Sequence, residues 1–146
     1  GFSVFIDYAH TPDALENLLR AVRGFCRSEQ RIVVVFGCGG DRDKSKRSIM
    51  GEIATRLADF AVITSDNCRS EFPDDIIKDI LEGIGERKNY TIIVDRKQAI
   101  IQTIKEAKHN DIIILARCIT WDNYIFFYAL QGLKDRETYG YSNVKR

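Results

Sequence analysis

The sequence predicts an α/β fold: a Rossmann-like, doubly wound, mostly parallel sheet with helices on both faces. Three observations predict it. Short apolar runs alternate with segments of helical periodicity five times over, the pattern of successive βαβ units. Two of the runs, Ile32-Val33-Val34-Val35-Phe36 and Ile112-Ile113-Ile114-Leu115, are apolar at consecutive positions, as strands buried on both faces are. The 146 residues are 45% hydrophobic and 29% charged, which suits one globular domain over 1–146 with no repeat and no linker-like stretch.

The elements follow in order. Phe2–Asp7 reads as a short strand. Thr11 can cap the next helix, Pro12 suits its first position, and Asp13 favours its positive end. Leu15, Leu18, Leu19 and Val22 then recur at helical spacing. Arg31–Phe36 is the second strand, broken by Gly37-Cys38-Gly39-Gly40, and Ile49, Ile53 and Leu57 mark the second helix. Phe60–Thr64 is the third strand. Pro73, with Asp74 and Asp75, opens a helix that runs through Ile84. Thr91–Val94, Gln98–Lys108 and Asp111–Leu115 complete the pattern as strand, helix and strand.

Charge and composition remove several classes of function. Twenty-two basic residues against 21 acidic ones leave +1, without the basic excess of a nucleic-acid or membrane-surface binder. No apolar run approaches the roughly 20 residues that span a bilayer. The start, Gly1-Phe2-Ser3-Val4, has no signal-peptide character and no initiator Met, so we expect a cytoplasmic chain cut from something longer. Cys26, Cys38, Cys68 and Cys118 form no CxxC pair, and His10 and His109 lie far apart. Reduced thiols and no metal site are the expectation.

In such sheets ligands bind beyond the carboxyl ends of the strands. After the first strand comes Asp7-Tyr8-Ala9-His10-Thr11-Pro12-Asp13, and after the second Gly37-Cys38-Gly39-Gly40-Asp41-Arg42-Asp43, with Lys44, Lys46 and Arg47 close behind. After the third comes Ser65-Asp66-Asn67-Cys68-Arg69-Ser70-Glu71. These loops carry groups suited to phosphate, ribose or a zwitterion. The glycine loop alone is either a phosphate cradle or a tight strand-to-helix turn. Arg42 stands at the sixth place of a GxGxxG fingerprint, and no Gly-Lys-Ser/Thr triplet occurs, so neither the dinucleotide motif nor the P-loop is present. His10 alone reads equally as a neighbour of the helix cap.

Taken together, the three strings closely resemble the C-terminal domain of the Mur ligases, most of all the diaminopimelate-adding branch, with order and spacing kept from the first strand to about Ala116. Folylpolyglutamate and cyanophycin ligases fit less well. The resemblance implies a role in peptidoglycan and cell-wall biosynthesis, hence in cell shape and cell division, within an ATP-dependent, Mg2+-requiring amide ligase of three domains. The first of these holds the UDP-sugar, here UDP-MurNAc-dipeptide. The central one carries the P-loop and Mg2+, and the third closes over both and supplies diaminopimelate. On this resemblance His10 and Asp13 contact ATP, and Arg42, Asn67 and Arg69 bind the amino acid. No residue of this domain is itself catalytic, none binds metal, and the isolated chain is inactive. An Arg fork suits a carboxylate, and Arg69 favours diaminopimelate over lysine, which lacks the second carboxylate.

Two departures stand out. Cys68 replaces the Pro of the family's Asp-Asn-Pro-Arg motif, which removes some loop rigidity. After the fifth strand the family carries Gly-Lys-Gly-His-Glu, where this chain has Arg117, Cys118, Ile119, Thr120 and Trp121; Asp135-Arg136-Glu137 then restores a later family string. The alternative reading is therefore a Mur-ligase-like binding module that keeps the fold and has lost ligase chemistry.

Overall fold

The computed structural model describes residues 1–116. The departures at Arg117–Trp121 and the string Asp135-Arg136-Glu137 lie outside the described residues. Five strands, β1 (Ser3–Asp7), β2 (Ile32–Phe36), β3 (Phe60–Ile63), β4 (Tyr90–Ile92) and β5 (Ile112–Ala116), alternate with four helices, α1 (Pro12–Phe25), α2 (Ser45–Leu57), α3 (Pro73–Leu81) and α4 (Arg96–Lys105). The strands form one parallel sheet in the order β1-β5-β2-β3-β4.

This order explains where the helices go. From β1 to β4 the chain steps across the sheet in one direction, and the step to β5 runs back. Strand-to-strand crossovers are almost always right-handed, so the forward helices share one face and the returning helix takes the other. The core divides accordingly. Leu15, Leu19 and Val22 of α1, Met50, Ile53 and Ala54 of α2, and Ile76, Ile77 and Ile80 of α3 pack on Ile32, Val34 and Phe36 of β2 and Ile112 and Ile114 of β5. Ala99, Ile100 and Ile104 of α4 pack on the opposite face, against Val33, Val35, Ile113 and Leu115. The consecutive apolar runs thus feed two cores at once.

Local chemistry sets the ends of the elements. Thr11 Oγ1 accepts from the Ala14 amide at 3.3 Å, and Asp95 caps α4 by accepting from the Gln98 amide at 2.8 Å. That cap starts α4 at Arg96, two residues before the expected Gln98. Helix α3 stops at Leu81, short of Ile84, because the chain turns through Gly83 into Gly85 at φ +64°; Ile84 still reaches the core. Strand β4 runs Tyr90–Ile92, beginning one residue early and ending two short of the expected Val94, although the Val94 carbonyl still accepts from the Ser65 amide at 3.0 Å. In α2 the apolar phase differs from expectation: Ile49 is 48% exposed, and Met50 occupies the core position. At the amino ends of the strands, far along the sheet from the site, Arg31 donates to Asp111 at 2.6 and 3.1 Å and joins β2 to β5.

Candidate functional site

A cavity of about 440 Å³ opens beyond the carboxyl ends of β1, β2 and β3. Tyr8, His10 and Thr11 line it from the β1 loop, Arg42, Lys46 and Arg47 from the glycine loop and the start of α2, and Arg69 from the β3 loop. Of the five expected site residues the structure brings together His10, Arg42 and Arg69. Asp13 stands exposed on the first turn of α1, and the Asn67 side chain is exposed; neither lines the cavity.

His10 Nδ1 lies 3.0 Å from the Tyr8 carbonyl oxygen, and the two rings stand 4.8 Å apart at 50°. A carbonyl only accepts, so Nδ1 is the donor and Nε2 is the nitrogen left for a ligand. Arg42 has no ion-pair or hydrogen-bond partner among the described residues. Arg69 Nη1 donates to the Gly40 carbonyl at 2.6 Å and to the Asn67 carbonyl at 3.4 Å.

The glycine loop and the β3 loop touch backbone to backbone. A Cβ on Gly40 would sit 1.8 Å from the Cys68 carbonyl oxygen, and one on Gly37 would sit 2.3 Å from that of Thr64. Glycine is required here for close approach; the left-handed conformations in these loops belong to Asp41 (φ +52°) and Arg69 (φ +50°). Such conformations are costly for residues with a Cβ and persist only where neighbours over-determine them. Those neighbours are present. Asp41 donates its amide to Glu71 Oε1 at 2.7 Å, its carboxylate accepts from Ser70 Oγ at 2.6 Å and Ser70 N at 3.2 Å, and Gly40 N donates to the Asn67 carbonyl at 2.9 Å. The Ser70 bonds hold the Asp41 carboxyl below its ordinary value. Cys68, standing where the family has Pro, is fixed by hydrogen bonds instead of a ring: its carbonyl accepts from the Glu71 amide at 3.0 Å and its thiol donates to the Asp66 carbonyl at 3.2 Å. Burial pushes that thiol up.

Sequence reasoning left Arg47 as the tail of a basic string. It is 1% exposed. Its Nη1 donates to Glu71 Oε2 at 2.9 Å and Asp79 Oδ2 at 2.8 Å, and its Nη2 to Glu71 Oε1 at 2.7 Å and the Gly39 carbonyl at 3.2 Å. Lys44 Nζ adds a 3.1 Å contact to Glu71 Oε2. The Arg47 guanidinium holds the Glu71 carboxyl far below the usual carboxylate range. A signal existed: Arg47, Met50 and Ala54 follow the i, i+3, i+7 spacing of a buried face, and a cation in that phase needs buried partners.

The arrangement suits an anionic or zwitterionic ligand, because Arg42, Arg69 and His10 converge, while Asp43 accepts from Ser45 Oγ at 2.6 Å and pairs with Lys46 at 3.9 Å. Among the described residues no group of three His, Cys, Asp or Glu side chains converges to hold a metal ion, and no helix is long and apolar enough to cross a membrane.

Known proteins share this architecture. A family model described as Mur ligase, glutamate ligase domain, matches residues 1–116. UDP-N-acetylmuramoyl-L-alanyl-D-glutamate–2,6-diaminopimelate ligase of Clostridioides difficile (strain 630) is 55% identical over 116 residues, 79% of this chain and 24% of the relative. The ligase of the same name from Halalkalibacterium halodurans is 46% identical over 149 residues, covering 94% of this chain and 30% of the relative. A solved structure of a ligase of that name superposes with a TM-score of 0.81 at 32% identity, over 90% of this chain and 29% of that one. The chain thus spans about a quarter of the length of the first of these relatives.

Proposed function

The chain belongs to the Mur ligase family, through its glutamate ligase domain, and on that premise we propose that it is the C-terminal domain of an ATP-dependent ligase joining diaminopimelate to UDP-MurNAc-dipeptide. The observation that carries this reading is the pairing of Arg42, which has no partner among the described residues, with Arg69 in one cavity. Diaminopimelate presents carboxylates at both ends. A guanidinium fork binds a carboxylate through two parallel bonds, and a second fork rewards the second carboxylate, which lysine lacks. Asn67, exposed beside Arg69, can accept from an ammonium and donate to a carboxylate.

His10, which lines the cavity, and Asp13, on the first turn of α1, are the residues assigned to the ATP phosphates. The cationic lining fits such an anion. The magnesium nucleotide supplies acyl-group activation, and its P-loop belongs to a central domain, since no Gly-Lys-Ser/Thr triplet occurs in this chain. The chain alone is therefore a binding domain without turnover, working in the cytoplasm where UDP-sugars and ATP are found.

A titration of the 146-residue chain with meso-diaminopimelate, followed by NMR, tests the reading: shifts should concentrate at Arg42, Asn67 and Arg69, and lysine should bind more weakly. Equal binding of both, or shifts elsewhere, would overturn it. The second reading, a binding module without ligase chemistry, is favoured by the Arg117–Trp121 sequence. It predicts that replacing Arg117–Trp121 with Gly-Lys-Gly-His-Glu in the three-domain enzyme turns an inactive protein into an active one.

A further inference from the structure

Among the described residues Arg47 is the one buried cation lining the cavity, and its guanidinium is bonded to protein acceptors. We propose that Arg47, through Glu71, is a positioning residue that sets the separation of Arg42 and Arg69 and so the selectivity for a substrate with two carboxylates. This rests on the substrate reading above.

Burying a guanidinium is expensive, and a buried ion pair often contributes no more stability than apolar residues of similar volume. What such a pair can supply is register. Arg47 binds three separate pieces of chain: the glycine loop at the Gly39 carbonyl, the β3 loop at Glu71, and α3 at Asp79. Glu71 is the hub, because its Oε1 accepts from both Arg47 Nη2 and the Asp41 amide. Asp41 immediately precedes Arg42, and its carboxylate holds Ser70, which immediately follows Arg69. Each substrate-facing arginine is thus one residue from an anchored neighbour, and both anchors lead to Glu71. Asp41 and Arg69 are also the two left-handed residues of these loops. Loosening the Arg47–Glu71 pair would let both relax to ordinary backbone and carry the two guanidinium groups apart.

Two variants separate this from a general packing role. Arg47→Lys keeps the charge but cannot fork to both Glu71 oxygens. Glu71→Gln keeps the shape but weakens the charge-assisted bonds. In the 146-residue chain, amide hydrogen exchange at Gly40, Asp41 and Ser70 should accelerate about ten-fold, and the preference for meso-diaminopimelate over lysine should fall about ten-fold, each equivalent to one weakened charge-assisted bond. Arg31→Gln, at the other end of the strands, should lower the melting temperature yet leave both readouts unchanged. Unaltered exchange at Gly40 and Asp41 in either folded variant, or an unaltered diaminopimelate-to-lysine ratio despite faster exchange, would overturn the positioning role. If the wild-type chain shows no preference for diaminopimelate, the substrate reading fails by itself, and the exchange rates then decide whether Arg47 holds the loops.

Discussion

Arg69 Nη1 donates to the Gly40 carbonyl across 2.6 Å, so a side chain assigned to the substrate also closes a bond between two loops. One guanidinium nitrogen is spent on the protein and the rest of the fork remains for a ligand. Arg69→Ala should therefore raise the diaminopimelate requirement of the three-domain enzyme by one to two orders of magnitude, the size of a charge-assisted pair at about 1.4 kcal/mol per decade. The nucleotide requirement should stay nearly unchanged, because His10 follows a different strand. Steady-state kinetics with each substrate varied in turn checks this, and equal weakening of both would show the loop to be structural only.

The positive φ at Arg69 supplies a second comparison. Glycine adopts φ +50° without penalty, whereas alanine does not. Arg69→Gly should be more stable to urea than Arg69→Ala by roughly 0.5–1 kcal/mol, although both lose the guanidinium equally. Equal stability would mean that the backbone relaxes when the side chain is removed.

Gly40→Ala should do more damage than any surface change nearby. The new methyl would meet the Cys68 carbonyl at 1.8 Å, and backbone cannot step aside as a side-chain end can. We expect a loss of about 1–3 kcal/mol in denaturant unfolding together with loss of diaminopimelate binding. A variant that retained wild-type stability and binding would show the two loops to be free to separate.

Acid should loosen the site late. The Glu71 carboxyl is depressed by Arg47 first, then by the Asp41 amide and Lys44. A depressed folded value means that its stabilising contribution is complete above the unfolded value of about 4.3 and disappears as pH falls through the folded one. The stability difference between wild type and Glu71→Gln should thus be flat above about pH 5 and shrink only in stronger acid. A difference that grew as pH fell would contradict the assignment.

The purified 146-residue chain should show no diaminopimelate-dependent ATP hydrolysis, since phosphoryl transfer in this ligase reading needs a P-loop and no Gly-Lys-Ser/Thr triplet occurs in its sequence. Measurable phosphate release above a buffer blank would refute this.

The parts of the fold that were legible in the sequence are those that periodicity encodes. Alternation and consecutive apolar runs mark strands and helices because each face must be buried, and the loops after β1, β2 and β3 follow from parallel connectivity. Strand order is different: nothing in Ile112–Leu115 says that it lies between β1 and β2. Ile49 and Met50 are adjacent and both apolar, so only packing decided which one faces in. Arg47 was obscured because a basic string normally reads as a solvated face, and its partners Glu71 and Asp79 lie 24 and 32 residues away. Cys68 shows another case: the resemblance leads one to expect Pro there, and the structure shows its carbonyl and thiol bonded to Glu71 and Asp66 within the loop.

The order β1-β5-β2-β3-β4 has a consequence for how the chain is made. Among the described residues strand β1 pairs only with β5, and β5 is the last of these strands to leave the ribosome. Until Ala116 emerges, β1 has no neighbour among the described strands, and β2 presents an open edge bearing Ile32 to Phe36. Until then this part of the sheet is exposed to mispairing with other edges, and the insertion of β5 joins β1 to β2–β4 in a single late step.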